Sequence, residues 1–361
     1  MTHPDTVELF GGVDTHSRTH HAAVIDPLGR HLADAEFPAT AAGYQDLEAW
    51  LRSHGQLVAV GVEGTGSYGA GLARHLSSAG LVVVEVDRPD RRARRNKGKS
   101  DPIDAYAAAA AVACGRATGT PKSRDGAVEA IRALRVARNS AIKARTQAIN
   151  QIRALLVTAP EPVRGPAAGL GTASLIGHLS RLGPGTDLRD PAAAVTTALR
   201  TLARRHQSLD TEVRDLDKAI KTLVDQVAPQ LLDLPGVGVE TASQLLTTAG
   251  DNPHRLRSPA SFAALCGAAP VPASSGKTRR HRLSRGGDRQ ANRALHIIVL
   301  TRMSHDPRTR AYVQRRTTEG LSKKEIMRCL KRYVANEIHR TLNDPRPAQI
   351  YPAATEHTPA A

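Results

Sequence analysis

At 361 residues the chain is long enough for two or three compact domains, and its 40% hydrophobic content with recurring apolar periodicity excludes a disordered polymer. Lys and Arg number 50 against 34 acids, a formal charge of +16 that suits a polyanionic partner, while 3% aromatic content argues against binding single strands by base stacking. Cys114, Cys266 and Cys329 are too scattered and odd in number for a disulfide framework or zinc site; with no basic-then-apolar leader and a longest apolar run, 105–114, too short to cross a bilayer, a cytoplasmic protein with no membrane segment is expected.

Residues 7–118 read as an α/β domain. Val7–Asp14 is a strand ending on an acid, His20–Asp26 a second, and Pro27-Leu28-Gly29 turns it into a third at Arg30–Pro38. Tyr44, Leu47, Trp50 and Leu51 stand at helical spacing. Leu57–Val62 is a buried-type strand ending at Glu63, Ser67–Ala79 is helical, and Leu81–Val86 is another apolar strand. Ser100-Asp101-Pro102 opens an alanine-rich helix with a cap residue and an early proline. A three-strand meander followed by helix, strand, helix, strand, helix is the order of the ribonuclease-H-like fold.

Residues 119–230 form a helical region. Val128, Ile131, Leu134, Ile142, Ile149, Ile152 and Leu156 mark one long amphipathic helix, and 160–184, rich in Gly and Pro, reads as a connection. Leu202, Leu209, Leu216 and Leu223 then recur every seven residues, with Val213, Ile220 and Val227 filling the alternate seam and His206 interrupting it. That seam predicts a coiled coil, closing within one chain or between two, with dimerisation preferred. Residues 231–342 are expected to be mostly α, and the Pro- and Ala-rich tail 343–361 disordered.

Four acids stand where a metal site is expected. Asp14 ends the first strand and Glu63 the fourth; Asp101 and Asp104, three apart at a helix start, share one face. Singly each has a structural explanation, as a turn residue or a first-turn acid. Jointly, in this strand order, they point to oxygen ligands for a hard divalent cation such as Mg²⁺. Two such ions about 4 Å apart would stabilise the attacking and leaving oxygens of a phosphoryl transfer. Just before the last two acids lie Arg88, Arg91, Arg92, Arg94, Arg95, Lys97 and Lys99, opposed only by Asp90 and well placed to hold a phosphate backbone.

Asp14, Glu63 and the phrase Lys97-Gly98-Lys99-Ser100-Asp101-Pro102-Ile103-Asp104-Ala105 resemble the Asp-Glu-Asp-Asp set of the insertion-sequence "one-ten" family of transposases, whose catalytic domain is similar to the Holliday-junction nuclease RuvC and which is related to the pilin-gene invertases. Leu234-Pro235-Gly236-Val237-Gly238, followed by Thr241, Ala242 and Leu245, has the look of a helix-hairpin-helix, in which the Gly236 and Gly238 amides meet a phosphate. Gly267-Ala268-Ala269-Pro270, Ser274-Ser275-Gly276-Lys277 and Arg285-Gly286-Gly287-Asp288 are similar in spacing to the family's serine region. Either Ser274 or Ser275 matches its nucleophile; Ser275 is chosen because it precedes Gly276 directly. Lys277, Arg279, Arg280, Arg282 and Arg285 would balance phosphate charge there.

The resemblance covers roughly residues 8–340. It implies a DNA transposase or recombinase acting on double-stranded donor and target DNA. Metal held by Asp14, Glu63, Asp101 and Asp104 would assist attack by Ser275, giving a phosphoserine–DNA link. It also implies a structured noncoding guide RNA and a homo-oligomer, dimer or tetramer, that completes a composite site. The rivals are a hydrolytic junction nuclease using the acids alone, a site-specific invertase, and a non-enzymatic nucleic-acid scaffold.

Overall fold

The computed structural model describes residues 8–86, 100–183, 185, 187–275, 281–282, 284 and 286–343. Arg91, Arg92, Arg94, Arg95, Lys97, Lys99, Lys277, Arg279, Arg280 and Arg285 lie outside them, as does the tail from residue 344. The chain divides into two compact units: residues up to Gly126 with Ala249–Ser261, and Ala127–Thr248 with the residues from Phe262 onward.

In the first unit β1 (Glu8–Thr15), β2 (Thr19–Ile25) and β3 (His31–Pro38) form the expected meander. The turn between β2 and β3 is tied by Asp26, whose Oδ1 accepts from the Leu28 and Arg30 amides. Then follow α1 (Ala41–Ser53), β4 (Gln56–Glu63), α2 (Ala70–Ser78), β5 (Val83–Val86) and α3 (Asp101–Ala113). The sheet order is β3-β2-β1-β4-β5; β1 is antiparallel to β2 and parallel to β4, and β5 is parallel to β4. α2 starts three residues later than the sequence suggests. Gly64 takes φ +62°, and its carbonyl accepts from the Ser67 and Gly69 amides, so a tight turn replaces the first helical residues.

Strand alternation sorts the side chains. Leu9 and Val13 of β1 and Val60 and Val62 of β4 pack with Leu47 and Leu51 of α1 and Leu72 and Leu76 of α2. The opposite face carries Phe10 and Ala59 against Ala108 and Val112 of α3. Asp14, in step with Phe10 and Gly12, and Glu63, in step with Ala59 and Gly61, therefore project on the α3 side of two neighbouring parallel strands. α3 reaches that face because Gly12 and Gly61, paired in register, offer no side chain. A Cβ on Gly12 would stand 2.2 Å from the Ala105 carbonyl oxygen and 2.3 Å from the Ala109 nitrogen.

On the α1 side, His20 is fully buried, stacked on Tyr44 with ring centroids 5.6 Å apart. Neither ring nitrogen has a hydrogen-bond partner among the described residues. Burial depresses its pKa, so the folded chain holds His20 neutral while the unfolded chain protonates it near its ordinary value of 6.5. Stability is then lost as the pH falls below about 6.5 towards the depressed folded value. His20→Phe, which keeps the ring on Tyr44, is expected to flatten the fall in unfolding free energy between about pH 7.5 and 5.5, read by urea titration.

The remaining elements are mostly helical: α4 (Ala127–Thr158), α5 (Thr172–Ser180), α6 (Pro191–Val227), α7 (Val239–Ala249), α8 (Pro259–Leu265), α9 (Arg289–His305), α10 (Pro307–Thr318) and α11 (Lys323–Leu342). A short ladder joins β6 (Val271–Pro272) to β7 (His281–Arg282). α4 and α6 run antiparallel, with Arg138 on Asp217 and Arg145 on Asp210, both at 2.5 Å. Val213 and Ile220 are buried; Leu202, Leu209, Leu216 and Leu223 are half-buried. The stretch read as a plain connection contains α5, because Leu175, Ile176 and Leu179 share a stripe that packs on Ile152, Leu199 and Ala203. Its flanking glycines and prolines obscured that stripe.

Candidate functional site

The end of β1, the end of β4 and the start of α3 converge in the first unit. Thr15 Oγ1 donates to the Glu63 carbonyl at 3.0 Å and binds the two strand ends together. Ser100 takes extended N-cap geometry and Pro102 sits in the first turn, so α3 begins where Asp101 and Asp104 face the strand ends. Acids are favoured there by the helix dipole.

Asp14 is 6% exposed and Asp104 1%. His16 Nε2 lies 3.2 Å from Asp14 Oδ2 and 3.3 Å from Asp101 Oδ1. Donor atoms of Asp14, His16 and Asp101 all lie within 4.8 Å of one another. Burial pushes the Asp14 carboxyl above its ordinary range; the neighbouring Asp104 and Asp101 charges push the same way, against His16. Of the four acids expected from sequence, Asp14 and Asp101 fall in this cluster. Asp104 stands one helical turn along α3, and Glu63 is half-buried one residue beyond the Val13–Val62 pair.

His16 is the member that sequence reasoning passed over. The signal was available, because His16 stands two residues after Asp14, just past the end of β1 at Thr15, close enough in sequence to turn back onto the strand end. The donor set fits a divalent cation on two observations. Asp14 Oδ2 is buried and, its contact with His16 apart, has no hydrogen-bond partner among the described residues. Two carboxylates and an imidazole also form a donor set common to divalent metals.

The remaining candidates lie in the second unit. Ser275 is exposed, three residues past β6, beyond the Val271–Arg282 and Pro272–His281 pairs. The loop's feet are clamped. The Asp288 amide donates to the Leu265 carbonyl at 2.6 Å, and Gly287 at φ +86° passes so close that a Cβ would stand 2.6 Å from the Gly267 nitrogen. The Asp288 carboxylate caps α9 through the Gln290 and Ala291 amides and accepts from Thr248 Oγ1 at 2.7 Å. An exposed hydroxyl thus stands on a braced base. Arg282 is exposed on β7.

In the turn before α7, Gly236 has φ +73°, and Arg302 Nε donates to the Pro235 carbonyl at 2.6 Å. The Gly238 amide donates to Thr241 Oγ1 at 3.0 Å, a bond that a phosphate at Gly238 would have to displace. None of the described helices is long and apolar enough to cross a membrane.

Comparison with known proteins adds the family. A transposase model of the DEDD IS110 type matches residues 11–159, and a model described as transposase of the IS116/IS110/IS902 family matches residues 228–314. The chain belongs to the IS110 family of transposases. It is 31% identical over 162 residues to an uncharacterized 42 kDa protein of insertion element IS900 from Mycobacterium paratuberculosis, covering 44% of this chain and 40% of that protein. It is 29% identical over 163 residues to an uncharacterized 43.6 kDa protein of insertion element IS110 from Streptomyces coelicolor, covering 45% and 39%. With the mini-circle putative transposase for IS117 from the same organism, identity is 25% over 94% of each. The chain thus spans about two fifths of the length of the first two relatives and nearly all of the third.

Proposed function

We propose that the chain is a DNA recombinase that mobilises an insertion sequence, cutting and exchanging strands with a metal-bound acidic centre and a serine nucleophile. The observation that carries this reading is the convergence of Asp14, His16 and Asp101, with Asp104 buried beside them, at the ends of parallel strands. A sheet of order β3-β2-β1-β4-β5 with α3 across the acid-bearing face supports a ribonuclease-H-like, RuvC-like catalytic domain. In this reading residues 7–118 form the catalytic domain, 119–230 the helical and oligomerisation region, and 231–342 the serine domain.

Asp14 and Asp101 with His16, flanked by Glu63 and Asp104, are the residues that would hold the cation; the four carboxylates suit Mg²⁺, the expected ion. When bound, the cation neutralises charge on the phosphate under attack. The carboxylates keep that place anionic, and α3 fixes the spacing of Asp101 and Asp104. Ser275 Oγ forms the bond to phosphorus, the bond from phosphorus to the departing deoxyribose oxygen breaks, and the serine proton ends on that oxygen. One phosphodiester replaces another, so a second exchange can reverse the step. Arg282, with Lys277, Arg279, Arg280 and Arg285, would balance phosphate charge beside the serine, and Arg91, Arg92, Arg94, Arg95, Lys97 and Lys99 would hold the backbone near the acids.

Because the acids and the serine belong to different units, assembly of a homo-oligomer is the simplest control on cutting. Leu209, Leu216 and Leu223, half-buried within one chain, leave part of the heptad seam for a second copy. A noncoding guide RNA remains part of the proposal through family membership and charge.

The test is a trapped adduct. Wild-type protein incubated with its element ends and divalent cation is expected to give a covalent protein–DNA species that Ser275→Ala abolishes and Ser274→Ala retains. Continued nicking by Ser275→Ala would favour the hydrolytic nuclease, and an adduct mapped to another residue would overturn the serine assignment.

A further inference from the structure

A second feature of the serine-bearing unit is a cavity of about 590 Å³ walled by β7, α9, α10 and α11. Among the described residues five cations line it: Arg282, Arg316, Arg328, Lys331 and Arg332. The one carboxylate in the wall, Glu325, is already engaged. It accepts from the Ser322 amide at 3.0 Å and its hydroxyl at 2.6 Å, closing the capping box of α11, and lies 3.9 Å from Arg328. Arg316 pairs with Glu319, which is not part of the wall.

Lys331 is the informative member. It is half-buried, and Nζ donates to Asn292 Oδ1 at 2.8 Å, a neutral acceptor. Asn292 is itself fixed, since its Nδ2 donates to the Cys266 and Gly267 carbonyls at 3.0 Å each. No carboxylate pairs with Lys331 among the described residues. Burial lowers its ammonium pKa from the ordinary lysine value. Holding a partly desolvated cation with only a neutral partner is costly unless an anion completes the site. Asn292 aims that cation from the same scaffold that clamps the foot of the serine loop, and Arg282 joins loop and cavity.

We infer that this cavity seats a backbone phosphate of a bound polynucleotide, with Lys331 as its inner cation and Arg328 at its rim. The surplus of positive charge disfavours a cationic ligand and favours an anionic one. A wall shared with β7, whose partner strand β6 leads into Ser275, favours a phosphate carried on a strand over a free small anion. The inference rests on nucleic-acid binding by a transposase-family chain and not on the serine or metal chemistry.

The experiment titrates the full chain with a labelled DNA duplex over a range of NaCl concentrations in EDTA, reading the slope of log K against log salt. No strand exchange is measured, so failure of the proposed chemistry and failure of this site are read separately. Lys331→Met is expected to shrink the slope by about 0.9 and to weaken binding roughly tenfold at moderate salt, as loss of one phosphate contact requires. Lys331→Arg is expected to keep the slope. Lys218→Ala, on the exposed face of α6 beside Asp215, is expected to change nothing. A single-stranded RNA arm distinguishes the strand's source, with an expected decrement of about 0.7 if the phosphate is RNA's. Arg328→Gln, at the cavity rim, gives a second reading if Lys331→Met does not fold. Folded variants whose slopes match wild type on both DNA and RNA would overturn the inference.

Discussion

Asp14→Asn is expected to abolish strand cleavage and joining while making the metal-free protein harder to unfold. The two effects have one cause. Asp14 is a nearly buried carboxylate whose Oδ2, its contact with His16 apart, has no hydrogen-bond partner among the described residues, and its pKa is raised by burial together with Asp104 and Asp101. A carboxyl whose folded pKa lies above its unfolded value stabilises the fold at low pH, and that contribution is lost as pH rises through the folded value. At neutral pH the ionised group is therefore a liability that the amide removes. The expected gain is on the order of 1 kcal/mol by urea unfolding in EDTA. Adding Mg²⁺ or Mn²⁺ should reverse the ranking, because a ligand that binds only the folded state at a hundred times its Kd stabilises by about 2.7 kcal/mol. Cleavage by the variant should fall on the order of a thousandfold, the scale on which electrostatic stabilisation of a reacting centre is lost. Equal stabilisation of both proteins by metal would remove Asp14 from the ligand set.

How much of this was legible beforehand depended on how local the determinant was. The five strands, the meander and the opening of α3 at Ser100-Asp101-Pro102 follow from alternation, turn chemistry and capping, all written within a few residues. The shared face of Asp14 and Glu63 follows once β1 and β4 are neighbours, a step that element order alone supplied. The participation of His16 required asking which side chains follow Asp14 just past the strand end, and attention to acids alone hid it. α5 was obscured because glycine and proline punctuation outweighed a three-residue apolar stripe whose partners, Ile152 and Leu199, are distant in sequence. The cationic cavity was illegible for the same reason. Lys331 lies 39 residues from Asn292, and only the packing of α9, α10 and α11 brings their neighbours to one wall.

Gly12→Val is expected to disable the acidic centre without touching an acid. Gly12 and Gly61 are register partners at the middle of the α3-facing surface, and both are met by helix backbone rather than by side chains alone. A Cβ on Gly12 would stand 2.2 Å from the Ala105 carbonyl oxygen and 2.9 Å from the Ala109 Cα, distances no rotamer change relieves. The helix itself must move outwards, and it carries Asp101 and Asp104 with it. Overpacking that backbone must absorb costs about 3 kcal/mol, read as a lower urea midpoint, and metal-dependent stabilisation should vanish in whatever fraction stays folded. The neighbouring glycine supplies the contrast. A Cβ on Gly11 faces the opposite side, 3.2 Å from Val60 Cγ2 and 3.3 Å from Leu51 Cδ2, side-chain tips able to shift by a few tenths of an ångström. Gly11→Ala is therefore expected to cost under about 1 kcal/mol and to leave metal binding intact. If both variants retained metal binding equally, the distance from α3 to β1 would not be what sets the acid spacing, and the close helix–strand contact would be a packing feature only.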